Sequence, residues 1–111
     1  MRTLEMNMNN KVFIFNGNNF HTLEGFYDEV ERVLTKDLDW KIGRNLNAFN
    51  DVLWGGFGAF EYEEPIHIIW EHSDKSKSDL AYPANKREGQ TVFEIIIEII
   101  KDHKHINLTL K

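Results

Sequence analysis

From Leu23 onward the apolar residues fall at positions 23, 26, 27, 30, 33 and 34, which is i, i+3, i+4, i+7, i+10 and i+11. That spacing predicts a helix with one buried stripe, and Thr22 stands where an N-cap is needed. Glu24, Asp28, Glu29 and Glu31 are expected mostly on its wet side or in its first turn. A second, shorter pattern predicts a helix over Asn45 to Trp54. It places Leu46, Phe49 and Leu53 on one face and Asn47, Asn50, Asp51 and Trp54 on the other. Gly55, Gly56 and Gly58 then stop the helix. Two short apolar runs read as strands: Val12 to Phe15, closed by Asn16-Gly17, and Ile66 to Trp70, opened by Pro65. Ile106 to Leu110 reads as a third strand. The run from Gln90 to Lys104 is rich in isoleucine, which favours a strand. It is longer than the ~5–6 residues of an ordinary strand, however, and Glu94 and Glu98 would share one solvent face of a helix, so we assign helix. Thr35 to Lys41 reads as a connection and Gly55 to Glu64 as a loop rich in glycine and aromatics. Residues 71–90 are polar and are expected to form a long, mobile connection with one helical turn near Ser76 to Tyr82.

The resulting order is strand, helix, short helix, strand, helix, strand. Helices between strands imply parallel pairing through right-handed crossovers. The expected fold class is therefore α/β, a small three-stranded parallel sheet with flanking helices. Residues 1–10 are expected to be a flexible N-terminal tail and residues 11–111 a single domain.

Composition narrows the function classes. The chain is 41% hydrophobic with eight Phe, three Trp and three Tyr, enough for a modest core. It has no cysteine, which removes disulfides and thiol chemistry and fits a reducing compartment. No apolar run approaches the ~20 residues of a membrane span, and the first ten residues lack the apolar core of a signal peptide. A cytoplasmic protein that does not bind membranes is expected. The net charge is −5, and residues 24–64 hold ten acids against four bases. An acidic central half argues against direct nucleic-acid binding, which starts from neutralisation of phosphates by Lys and Arg. It favours a basic protein partner, although mild acidity also serves plain solubility.

Few residues suggest catalysis. His103-x-His105 could be a metal pair, but an imidazole pair at a helix end is more simply structural. No metalloprotease, nucleophile-elbow, phosphate-loop or dinucleotide motif is present. No catalytic residue, metal or cofactor is expected, and a small metal-dependent hydrolase is a weak alternative. The polar face of the short helix is more informative. Trp54 stands beside Asp51 and two amides, and an aromatic anchor next to a desolvatable polar group suits a protein-binding surface.

Taken in order along the chain, these motifs resemble the barstar family, intracellular inhibitors of the extracellular ribonuclease barnase. The resemblance runs from about Lys11 to Leu110. It rests on the strand ending in Asn16-Gly17, the helix Leu23 to Leu34, and the set Gly43, Asn45-Leu46, Ala48, Asp51 and Leu53. Pro65 and Trp70 at the two ends of the second strand, the helix carrying Glu98 and the apolar last strand complete it. The resemblance implies a stoichiometric inhibitor of a basic extracellular-type ribonuclease or a related toxin nuclease, an immunity protein of bacterial type. It would act as a monomer in a 1:1 complex and would not be an enzyme. The helix Asn45–Trp54 and the loop before it would plug the nuclease cleft, with Asp51 taking the place of a substrate phosphate and Glu98 adding a peripheral charge contact. The partner-binding residues on this reading are Trp40, Lys41, Gly43, Asn47, Asn50, Asp51, Trp54 and Glu98.

The chain departs from the family at several of these positions. Asn47 replaces a second acid, Asn50 a tryptophan, Lys41 an aromatic (with Trp40 one residue away), and Arg44 an acid. The loop Gly55 to Glu64 is longer. Trp54 and Phe57 are candidates to supply the missing aromatic surface. These departures point to a cognate nuclease other than barnase, or alternatively to a barstar-like interaction module that does not inhibit a nuclease.

Overall fold

The computed structural model describes residues 10–35, 38, 43–84 and 89–111. The expected tail, apart from Asn10, and the candidates Trp40 and Lys41 lie outside the described residues. Strand β1 (Lys11–Asn16) leads through a single 3-10 turn into helix α1 (Leu23–Leu34). Helix α2 (Leu46–Leu53) follows, then β2 (Ile66–Glu71), α3 (Ser73–Asp79), α4 (Val92–Lys101) and β3 (Ile106–Leu110). The strands form one parallel sheet in the order β1-β2-β3, with Phe15 opposite Trp70 and Trp70 opposite Leu110. This is the α/β class and the parallel pairing that the hydrophobic pattern predicts.

Both crossovers step the same way across the sheet, so right-handed connection puts their helices on one face. Ile66, Ile68 and Trp70 point into that face and are buried. The opposite face carries Val12 and Ile14, both exposed, and the half-buried His67 and Ile69. The core between sheet and helices is strongly aromatic. Phe26 of α1 stacks on Trp70 at 5.4 Å and meets Phe49 of α2 edge-on at 5.2 Å. One ring thereby joins the first helix, the short helix and the central strand.

Local chemistry sets the helix ends. Thr22 accepts a hydrogen bond from the Gly25 N–H at 3.0 Å, as its position suggested. Thr91 and Glu94 form a reciprocal capping box, which decides the isoleucine-rich run in favour of helix α4. No helix among the described residues is long and apolar enough to cross a membrane.

Two expectations need correction. Residues 71–84 are not a loose connection with one turn near Ser76: α3 starts three residues earlier and is anchored, while residues 85–88 of the expected connection lie outside the described residues. Ser76 is fully buried and accepts a hydrogen bond from the Trp70 indole at 3.0 Å. Lys75 Nζ donates to the carbonyls of Gly17 and Phe20 and pairs with Asp79. Glu29 is not on the wet side of α1 either. It is 3% exposed, and its carboxylate accepts from the Asn16 N–H, the Asn19 amide and the Arg32 guanidinium. Burial alone would raise its pKa, but Arg32 and the Asn16 and Asn19 donors outweigh it and hold it below the usual carboxylate value.

Gly17 is required by space rather than by backbone angle. A Cβ there would stand 2.6 Å from both the His72 carbonyl and Ser76 Oγ. Gly17→Ala should therefore cost about 1–3 kcal/mol, a fall in Tm of at least ~4 °C. Thermal unfolding followed by circular dichroism checks this, and an unchanged Tm would show that α3 shifts freely to make room.

Candidate functional site

Helix α2 is amphipathic in the sense expected. Phe49, Val52 and Leu53 are buried, Leu46 is half-buried, and Asn47 and Asp51 are exposed. Asn45 caps its start through a 2.8 Å hydrogen bond from the Ala48 N–H to Oδ1. Gly43, two residues earlier, is exposed. Among the described residues the Asp51 carboxylate has no hydrogen bond or ion pair, and the same holds for Glu98, exposed on α4.

The C-terminal end of α2 is built by side chains remote in sequence. His105 Nε2 donates to the Leu53 carbonyl at 2.8 Å and so satisfies an acceptor left open at the helix end. His103 Nε2 meets Asn50 Oδ1 at 2.7 Å. With that oxygen accepting, His103 carries its proton on Nε2, and its Nδ1 is left as a buried lone pair with no partner. Asn50 is therefore engaged inside the fold at a position where a partner contact was expected. Both imidazoles are thus hydrogen-bonded to residues of α2. Among the described residues no group of three or more His, Asp or Glu could hold a metal.

Trp54 is partly anchored and partly open, at 36% exposure. Its ring meets His103 edge-on at 4.4 Å and stacks near Tyr62 at 6.0 Å and His105 at 5.9 Å. Tyr62 is itself 66% exposed, so two aromatic rings are open to solvent at the C-terminal end of α2. Sequence reasoning did not single out Tyr62, and only the aromatic richness of its loop marked it. The Glu63 N–H donates to the Trp54 carbonyl at 2.7 Å, which ties the acidic run Glu61 to Glu64 to the same end of α2. The loop returns there through Gly55, whose φ of +96° suits glycine and where a Cβ would collide with the Glu61 carbonyl.

Arg44 carries the sign opposite to the acid of the resemblance, but it does not stand free. Its guanidinium contacts Asp28 at 2.7 Å, Glu31 at 3.0 Å and Glu24 at 3.4 Å, all on α1. Its charge is thus matched by carboxylates of α1.

His103 supplies a pH test of this arrangement. Burial, with the neighbouring His105, pushes its pKa below the ordinary imidazole value, against a smaller opposing effect of Asp102. The folded protein thus holds His103 neutral while the unfolded chain binds a proton near pH 6.5. Its contribution to stability is complete above that pH and is lost as pH falls through the lower folded-state pKa. Glu29 acts in a separate window, below about pH 4.5. Tm should fall between pH 7 and pH 5 in the wild type and fall less in His103→Gln. Equal slopes in thermal scans across that range would contradict the buried neutral imidazole.

A family described as Barstar (barnase inhibitor) matches residues 10–110, nearly the whole chain. No curated protein shows significant similarity to it. The match spans every element from β1 to β3 and agrees with the parallel three-stranded sheet, so the chain belongs to the barstar family.

Proposed function

We propose that the protein is a stoichiometric inhibitor of a basic ribonuclease or related toxin nuclease, an immunity protein acting in the cytoplasm of a bacterial host. The observation that carries this reading is the exposed Asp51 carboxylate, without a partner among the described residues, on a helix whose C-terminal end carries the exposed rings of Trp54 and Tyr62, in a chain of the barstar family. The mechanism is occlusion, with no bond made or broken. Asp51 competes for the cations that would hold a substrate phosphate, and the rings exclude water around the charge pair. Glu61 and Glu63, both exposed, extend the acidic field at the end of α2, and Glu98 adds a charge on α4. Such a field steers a basic partner and acts more on association rate than on affinity.

A second reading has one observation in its favour. Asn50 is turned to His103 and Asn47 is uncharged, so α2 presents a single carboxylate. An interaction module that binds a basic protein without blocking catalysis fits that reduced charge.

Titration into an RNA-cleavage assay, with barnase and with any nuclease encoded beside the gene, separates the two readings. Inhibition should rise linearly to a 1:1 endpoint. Binding seen by calorimetry with full residual cleavage supports the module. In the inhibiting pair, Asp51→Ala should weaken binding by at least about 2 kcal/mol, roughly thirtyfold in Kd. About 2 kcal/mol is the general threshold for an interface hot spot, a class for which the barnase–barstar pair is a standard example. A Kd unchanged within error removes Asp51 from the interface. The association rate should also fall as salt is added, and a flat dependence counts against steering.

A further inference from the structure

Resting on the inhibitor reading, we propose that Arg44 is a positioning residue: it latches the start of α2 to α1 and so holds Asp51 in place, without itself meeting the nuclease. Arg44 directly precedes Asn45, the N-cap of α2. Its two terminal nitrogens reach four acceptors on α1. Nη1 donates to the Glu24 backbone carbonyl at 3.1 Å and approaches the Glu24 carboxylate at 3.4 Å. Nη2 meets Asp28 Oδ1 at 2.7 Å and Glu31 Oε1 at 3.0 Å. Glu24, Asp28 and Glu31 fall at i, i+4 and i+7, one stripe of α1. The latch therefore spans two turns of α1 from a single point on the chain entering α2.

The Glu31 side chain makes this more than a surface ion pair. It is 17% exposed, and its second oxygen, Oε2, is buried without a hydrogen bond. Exposed pairs such as Arg44 with Glu24 or Asp28 contribute little. A largely buried carboxylate deprived of its cation must be rehydrated, and here that means opening the join between α1 and the first turn of α2. Arg44 uses separate nitrogens for the Glu24 carbonyl and the Glu31 carboxylate, and the single ammonium of a lysine would not reproduce that two-armed geometry.

The opposite role makes an opposite prediction. An Arg44 facing a basic nuclease would repel it, so its removal would tighten binding. An Arg44 acting as a latch loosens the complex when removed, through dissociation, even as the chain becomes more acidic. The test uses the full chain as wild type, Arg44→Gln and Arg44→Lys. Stopped-flow kinetics with the nuclease that the titration identifies should show dissociation at least about tenfold faster in both variants. Association should be unchanged in Arg44→Lys and unchanged or faster in Arg44→Gln. Amide hydrogen exchange of the free protein gives a readout independent of any partner. Protection in α2 should drop at least about tenfold in both variants while β2 keeps its protection, which separates a released helix from global destabilisation. Unaltered α2 protection overturns the proposal. So does tighter binding of Arg44→Gln with unaltered dissociation. If no nuclease is inhibited, the functional reading fails, and the exchange data still decide the latch. Should Arg44→Gln not fold, Arg44→Lys, which keeps the charge beside Glu31, carries both measurements.

Discussion

The contact on which the rest depends is the Phe49 ring packed against Phe26, which itself stacks on Trp70 of the central strand. It fixes the rotation of α2 about its axis. At about 100° per residue, the residue two places on points away from the buried ring by roughly 200°. Burying Phe49 therefore turns Asp51 outward. Val52 and Leu53, both buried, reinforce the same setting. A short helix has little stability of its own, so its orientation must come from tertiary packing and from its ends. Asn45 and Arg44 hold one end, and His103, His105 and the Gly55 turn hold the other.

The charge distribution follows the same division between inside and outside. The central region looks acidic in the sequence, but several of those acids are neutralised within the fold. Glu29 is matched by Arg32 and backbone donors, and Glu31 by Arg44. Glu64 lies 3.5 Å from Lys11. The acids left without a partner among the described residues include Asp51, Glu61, Glu63 and Glu98, on or near the ends of α2 and on α4. Among the described residues, Arg44 is thus withdrawn from the outward field of α2 by its contacts with α1. This is how a positive residue beside the proposed interface remains compatible with a basic partner.

Much of the architecture was legible because it is written in periodicity. The α1 stripe, the Thr22 cap, the strand Ile106 to Leu110 and the parallel order all follow from spacing and connection length. What was hidden depends on contacts remote in sequence. Ser73 to Asp79 looks like a loop because its residues are polar, yet Ser76 and Lys75 are bound by Trp70, Gly17 and Phe20. Glu29 looks like a wet-side acid because nothing nearby in the chain announces Asn16 and Asn19 as its donors. At the site, the outward Asp51 and the opposite face of Phe49 and Leu53 were readable from the helix pattern. The tie from Asn50 to His103 was not, since 53 residues separate them. Nor was the latch at Arg44, which looked only like a reversed charge.

The central claim is that α2, with Asp51 outward, is the surface that meets the nuclease. The most direct measurement is to titrate the 15N-labelled chain with the inhibited nuclease and map which amides shift and gain protection. The account predicts that residues 43–54 and the Tyr62 to Glu63 turn respond first and most strongly, with β1 unaffected. Perturbation centred on Val12, Ile14 and Ile69 of the opposite sheet face, with α2 unchanged, would contradict it.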